Sequence, residues 1–401
     1  MKRVLVIVCI LVTLGISALG CSSGSIADIS GYIPPEETYG GQPIAPESAN
    51  FSATARAFVA GMGTGWNLGN TLDAHGVSGL DSETYWGQPA TTKAMMEGLY
   101  ESGIRTVRIP VSWHDHVNAA YTIDPAWMAR VRQVVDYAVD SGLYVIINIH
   151  HDNEEGFYFP DPRYRVRSLA YVTRIWKQIA LEFRNYDEKL VFELLNEPRL
   201  TGYVNEWNWL ETDPALADAA GLIGEMEQAA LDAIRATESN NASRFVMITP
   251  YVASPWAAFS GKFVIPEDSA DDKLILSVHA YAPYPFAMED PGVSVFTNAH
   301  KTEIDSFMGR LNAEFVTVRD MPVIIGEYGA TNKDNLSERE AWFSYYVGKA
   351  AEYGMCAILW DNGNYQIPAS GKFSELYGFY NRTSQSWYFP TILAAILGAL
   401  D

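Results

Sequence analysis

The feature that most constrains this chain is a rhythm of eight short aliphatic or β-branched runs, separated by longer segments with helical periodicity. The runs fall at 65–69, 106–111, 144–150, 190–196, 245–250, 274–281, 323–327 and 357–361. Most are continuously apolar rather than alternating, as parallel strands buried on both faces require. Between them, Asp124-Pro125 offers an N-cap with proline in the first turn. Trp127, Met128, Val131, Val134, Val135 and Ala138 then repeat at helical spacing, and Gly142 is the stop. Ser337 and Glu340 read as a capping box ahead of Trp342, Phe343, Tyr346 and Val347, closed by Gly354. Further helices fit 92–101, 169–184, 222–235, 301–319 and 390–399. Eight strands alternating with helices predict an α/β fold, a closed (β/α)8 TIM barrel in a single domain, more readily than an open sheet.

The N-terminus stands outside this rhythm. Lys2 and Arg3 precede an apolar run to Gly20, so residues 1–20 read as an export signal peptide. Ala18-Leu19-Gly20-Cys21 reads as a lipoprotein processing site, after which an acylated Cys21 would attach the chain to a membrane. Ala18-x-Gly20 also fits ordinary signal-peptidase cleavage and release. Residues 21–50 are rich in Ser, Gly, Pro and Glu; such a stretch buries too little apolar surface to offset its ordering entropy and reads as a disordered tether. Residues 51–401 carry the barrel. The expected location is secreted or cell-surface, as a bacterial outer-membrane lipoprotein.

Charge and cysteine content remove several classes. A formal net charge of −20 argues against nucleic acid, whose phosphates need Lys and Arg, and suits an uncharged polymer. Cys9 and Cys21 belong to the signal, leaving Cys356 without a disulfide partner or a cysteine metal site. The chain has no Gly-x-Ser-x-Gly elbow, phosphate loop or dinucleotide fingerprint.

In a parallel barrel the chemistry sits at the carboxyl ends of the strands. Reading only those ends gives Arg108-Ile109-Pro110, His150-His151, Asn196-Glu197-Pro198, His279-Ala280-Tyr281, Gly326-Glu327-Tyr328 and Trp360-Asp361. One carboxylate closes the fourth run and another closes the seventh, roughly opposite across the mouth. Two carboxyls converging among aromatics is what cleavage of a glycosidic bond needs. His150-His151-Asp152 also invites a metal reading, but consecutive strand residues point to opposite faces, so two imidazoles are not expected to share one ion.

Taken together, these segments resemble glycoside hydrolase family 5. The likeness is closest to its endoglucanase and xyloglucanase branch, through Gly65-Trp66-Asn67-Leu68-Gly69-Asn70-Thr71-Leu72-Asp73-Ala74. It runs to Trp387-Tyr388-Phe389-Pro390 and so covers the domain. The resemblance implies a retaining hydrolase that needs no metal or other cofactor, with Glu197 as general acid/base and Glu327 as nucleophile. It places Arg108 beneath Glu327, where its charge would lower that carboxyl's pKa, and lets Tyr281 donate to the same group. The pKa of Glu197 is then expected above that of Glu327. Asn196 would bond the sugar 2-hydroxyl, Trp360 would offer a face to the ring, and His150 and His279 would complete the polar wall. His151 and Asn70 are further substrate contacts, with His75 beside Asn70.

Trp86, Trp113, Tyr203, Trp207, Trp209 and Trp256 lie near strand-to-helix loops, where they would either stack on outer sugar units or pack into the core. The reading is hydrolysis of a β-1,4-glucan backbone (cellulose, mixed-linkage β-glucan or xyloglucan) by a monomer. A β-mannanase and a non-catalytic glycan-binding barrel are the alternatives; retention of both glutamates with Arg108 and Asn196 weighs against the second.

Overall fold

All eight runs form strands: β1 (Gly65–Asn67), β2 (Thr106–Ile109), β3 (Tyr144–Asn148), β4 (Leu190–Glu193), β5 (Val246–Ile248), β6 (Leu274–His279), β7 (Val323–Tyr328) and β8 (Cys356–Leu359). They pair in sequence order, and β1 pairs β8 in parallel (Gly65 opposite Ile358) to close the barrel. This computed structural model describes Glu36, Phe51, residues 53–369, Gly371 and residues 375–400. The signal read at 1–20, with Cys21, lies outside the described residues, as does the tether read at 21–50 apart from Glu36. Glu36 forms an exposed ion pair with Lys177 at 2.5 Å. Among the described residues no helix is long and apolar enough to cross a membrane.

Strand periodicity sorts side chains into two cores. Ile146, Val191, Met247, Ile275, Ile324 and Ile358 point inward, where Phe58, Val59 and Met62 of the helix Ala55–Gly61 and its end plug the amino-terminal side of the barrel. Their neighbours Val145, Ile147, Phe192, Leu276 and Ile325 point outward, into the layer shared with the helices. The inward positions nearest the carboxyl rim are polar: Asn67, Arg108, Asn148, Glu193 and Ser277, all with no solvent exposure.

The helix Pro125–Asp140 begins as its sequence predicts, with the Asp124 side chain accepting from the N–H of Ala126. The capping box at Ser337 does not form. That helix starts at Leu336 with Asn335 at its N-cap, so Ser337 already lies within its first turn. Asn335 instead ties neighbouring loops, accepting from Lys333 N and donating to Ser294 O. The last predicted helix before β7 is Asn298–Leu311, continued by a π-helical turn over Asn312–Thr317.

Candidate active site

Arg108 organises the mouth from its inward position on β2. Its Nε donates to Glu193 Oε2 at 2.7 Å, Nη1 to Asn67 Oδ1 at 2.9 Å and to Glu327 Oε1 at 2.8 Å, and Nη2 to Asn196 Oδ1 at 2.7 Å. Taking a guanidinium out of water is costly, but the charges of Glu193 and Glu327 beside it outweigh that cost and raise its pKa. Glu193 is itself held by Asn148 Nδ2 at 2.9 Å and Ser277 Oγ at 2.6 Å. The sequence reading missed Glu193 and Asn67. The available signal was an acidic residue at an inward position of an otherwise apolar strand.

Glu327 faces the mouth because β7 is irregular. Ile324 points into the barrel and Ile325 out, so plain alternation would send Glu327 outward. The register slips instead: Ile325 pairs with Ala357 and Tyr328 with Leu359, while Val278 pairs with Ile325 and His279 with Glu327. One extra residue on β7 makes a bulge that turns the carboxylate inward. Gly326 sits in it for want of space, since a Cβ there would lie 3.1 Å from His279 Nε2 and from Ser277 Oγ. The second oxygen of Glu327 accepts from the Tyr281 hydroxyl at 2.9 Å. Burial and the Glu327 charge push the Tyr281 phenol well above its ordinary value, so it remains a donor.

Glu197 lies beyond the end of β4, where the chain stays extended through Leu194 N to Met247 O (3.0 Å) and Asn196 N to Ile149 O (3.0 Å). Arg199 Nη1 pins the Glu197 carbonyl at 3.0 Å. Its carboxylate accepts from His279 Nδ1 at 2.8 Å, and His279 Nε2 lies 3.5 Å from Arg108 Nη2. Oxygens of Glu197 and Glu327 and a ring nitrogen of His279 all lie within 4.8 Å of one another.

The acidities differ from the expected order. Burial opposes the charge on Glu197, but the hydrogen bond and charge of His279, followed by Arg199, outweigh it and hold its pKa below the ordinary value. Glu327 is raised: burial leads, and the charges of His279 and Arg108 do not fully offset it. Arg108 is divided between Glu327 and Glu193, which is why its charge does less for Glu327 than the sequence suggested. His279, one hydrogen bond away from Glu197, has its own pKa raised against the cost of burial by the charges of Glu327 and Glu197. The pair therefore acts as one titrating unit.

The remaining predicted residues divide. His150 joins the network through Asn148 Nδ2, 3.1 Å from its Nδ1, and its ring lies parallel to that of Trp360 with centroids 6.0 Å apart. Trp360 is nearly buried, and its ring edge would lie 2.9 Å from a Cβ at Gly69, so a glycine there is needed for close approach. Asn70 stands apart, with its N–H bonded to Asp73 and a left-handed φ of 56°. His150 and His151 do not diverge as alternation required. β3 ends at Asn148, so the rule no longer applies, and the two rings are 4.4 Å apart. Trp113 is core rather than platform, fully buried with its indole donating to Asn148 O, whereas Trp207 and Trp256 are exposed.

Carboxylates this close on the carboxyl rim of a parallel barrel suit displacement at a sugar's anomeric carbon, which defines the class as barrel glycoside hydrolases. The family follows from sequence: the cellulase family (glycosyl hydrolase family 5) matches residues 69–366, and the chain belongs to it. Among characterised relatives, endoglucanase B of Ruminococcus albus is 42% identical over 364 residues, covering 90% of this chain and 83% of that protein. Endoglucanase A of Clostridium longisporum is 37% identical over 370 residues, covering 88% and 67%. Among solved structures, a family 5 lichenase from Caldicellulosiruptor sp. F32, in mutant form with cellotetraose, superposes with a TM-score of 0.83 at 38% identity, covering 92% of this chain and 100% of that one. A broad specificity endoglucanase from Ruminococcus champanellensis with bound cellotriose gives 0.80 at 38% identity, covering 86% and 98%.

Proposed function

We propose that this chain is a retaining endo-β-1,4-glucanase in which Glu327 is the nucleophile and Glu197 the general acid/base. The observation that carries the reading is the spacing of the two carboxylates, whose nearest oxygens lie within 4.8 Å. Retaining enzymes hold theirs about 5–5.5 Å apart, whereas inverting ones leave about 6.5–9.5 Å for a water. Glu327 attacks the anomeric carbon with its charge steadied by Arg108 and Tyr281. Glu197 passes the proton shared with His279 to the leaving oxygen, and then deprotonates the water that opens the glycosyl ester on Glu327. Asn196 turns its amide carbonyl to Arg108, which leaves its NH2 to bond the sugar 2-hydroxyl. Trp360 offers the ring a face beside His150.

The substrate is a β-1,4-glucan: cellulose, mixed-linkage β-glucan or xyloglucan. The endoglucanase and lichenase relatives support cellulose and mixed-linkage β-glucan; xyloglucan rests on the sequence resemblance. The lipoprotein-type leader and tether read in the sequence suit an enzyme held at the cell surface, and palmitate labelling of wild type against Cys21→Ala tests that reading. Activity is tested by reducing-sugar release from xyloglucan, barley β-glucan, carboxymethylcellulose and mannan, with Glu327→Gln alongside. Glucan hydrolysis that disappears in the variant is the expected result, with the first product keeping the β-configuration by proton NMR. Inverted product, or mannan as the preferred substrate, would overturn the assignment.

A further inference from the structure

Outside the catalytic network, the loops after β1, β2 and β3 bring together His75, His114, Asp115 and Asp152. We propose that His75, His114 and Asp115 form a binding site for a divalent transition-metal ion on the rim of the barrel mouth. One donor atom from each of the three lies within 4.8 Å of the others, and His114 Nε2 and Asp115 Oδ2 are 3.7 Å apart. Two ligands of a tetrahedral ion at about 2.0–2.1 Å are separated by about 3.4 Å, so a small movement of the partly exposed Asp115 closes that edge.

The orientation of His114 argues for a ligand rather than a loose cluster. Its Nδ1 lies 2.6 Å from Asp152 Oδ1, and the same oxygen accepts the backbone N–H of Trp113 at 2.9 Å and of His114 at 2.8 Å. Asp152 is fully buried, so this carboxylate is a fixed acceptor and Nδ1 is the protonated nitrogen. The lone pair is then on Nε2, which faces Asp115. A buried carboxylate orienting an imidazole in this way is the support that metal-binding histidines use. Asp115 is in turn held against the β1 loop by the N–H of Gly76 at 2.6 Å. His75 is partly exposed, and among the described residues neither of its ring nitrogens has a hydrogen-bond partner.

Two imidazole nitrogens and one carboxylate oxygen select zinc, copper or nickel over calcium and magnesium, which take oxygen ligands. The neighbouring group of Asp73, His150 and His151 is less suited. Both oxygens of Asp73 accept backbone N–H groups, Oδ2 from Asn70 at 3.0 Å and Oδ1 from Thr71 at 2.6 Å, and His150 Nδ1 is engaged by Asn148, whereas Asp115 accepts one such group, on Oδ2. An ion at the proposed site staples the β1 loop to the β2 loop. It also fixes His75, whose ring is 5.0 Å from that of Trp86 and 5.3 Å from that of His151, so occupancy bears on the wall of the mouth.

The test uses the full chain stripped with EDTA and dialysed, titrated calorimetrically with ZnCl2 and loaded with CuCl2 for electron paramagnetic resonance. One equivalent should bind, with copper showing coupling to two nitrogens and zinc raising Tm. His75→Gln and Asp115→Asn, both at partly exposed positions, should each weaken binding at least tenfold while leaving the metal-free Tm unchanged; His151→Gln should retain binding. Absence of stoichiometric binding by the wild type would overturn the proposal. So would binding that survives His75→Gln and Asp115→Asn but is lost in His151→Gln, which would move the ion to the neighbouring group.

Discussion

Replacing Arg108 by lysine keeps the charge but removes the fork, and the structure sets the size of the effect. Three guanidinium nitrogens make four hydrogen bonds, two of them to the carboxylates of Glu193 and Glu327, inside a site without solvent. An ammonium places its three donors on one atom and cannot serve both carboxylates and Asn196 together. Losing two bonds that involve charged groups, at about 1.5–3 kcal/mol each, predicts a loss of about 3–6 kcal/mol, which overlaps the about 3–5 kcal/mol found when a buried ion pair is broken. That is a large share of a typical folding free energy of about 5–15 kcal/mol. Urea denaturation should show it as a lower midpoint with an unchanged slope.

The same substitution predicts a pH effect of definite sign. As the proposed nucleophile Glu327 must be ionised to attack, and its pKa is already raised above the ordinary 4.5 by burial. Weakening the positive charge at its oxygen disfavours the anion further, so the acidic limb of kcat/KM on barley β-glucan should move to higher pH. At neutral pH kcat/KM should fall on the order of 10²–10³-fold, as when one preorganised charge-stabilising donor is removed. A lysine variant within 1 kcal/mol of wild type by the two-state measure, with its acidic limb unmoved, would refute the view that the planar fork organises this site.

Three other perturbations probe separate parts of the site. His279→Gln removes the partner that shares the acid proton and whose pKa is raised, so the basic limb should move to lower pH; Glu327 also loses the His279 charge that lowers its pKa, so the acidic limb should move to higher pH and the profile should narrow. Glu197→Gln should abolish glucan hydrolysis yet still form the glycosyl-enzyme from an aryl cellobioside with a good leaving group, and azide should restore turnover by giving a β-glycosyl azide; no azide product would count against Glu197 as the base. Gly326→Ala places a Cβ 3.1 Å from both His279 Nε2 and Ser277 Oγ, so activity should drop more than tenfold while Tm falls only a few degrees. Full activity in that variant would show that the bulge tolerates displacement and does not aim Glu327.

Much of this protein is written in its residue order. Continuous apolar runs alternating with 3.6-residue periodicity leave few ways to bury every strand on both faces, and a closed parallel barrel is one of them. Because such a barrel exposes its chemistry at the strand ends, Arg108, Asn196, Glu197, His279, Tyr281 and Glu327 could be named before any coordinate was known, and the structure brings all six into one hydrogen-bonded network. Glu193 left one trace, an acidic residue in an otherwise apolar strand, but its partnership with Arg108, like that of Asn67, exists only once β1, β2 and β4 are closed around the same guanidinium. Local rules failed wherever a longer-range contact decided. Strand alternation could not foresee the bulge at Gly326, the meeting of His150 with His151 past the end of β3, or Asn335 displacing Ser337 at a helix start. Nor could residue type reveal that Trp113 is core. The order of acidities was likewise a tertiary matter, because a carboxyl's pKa depends on which charges burial forces beside it. Sequence order fixed which groups stand at the mouth. Only closure of the barrel decided that Arg108 is shared with Glu193, that His279 faces Glu197, and that the two carboxylates come within 4.8 Å of each other.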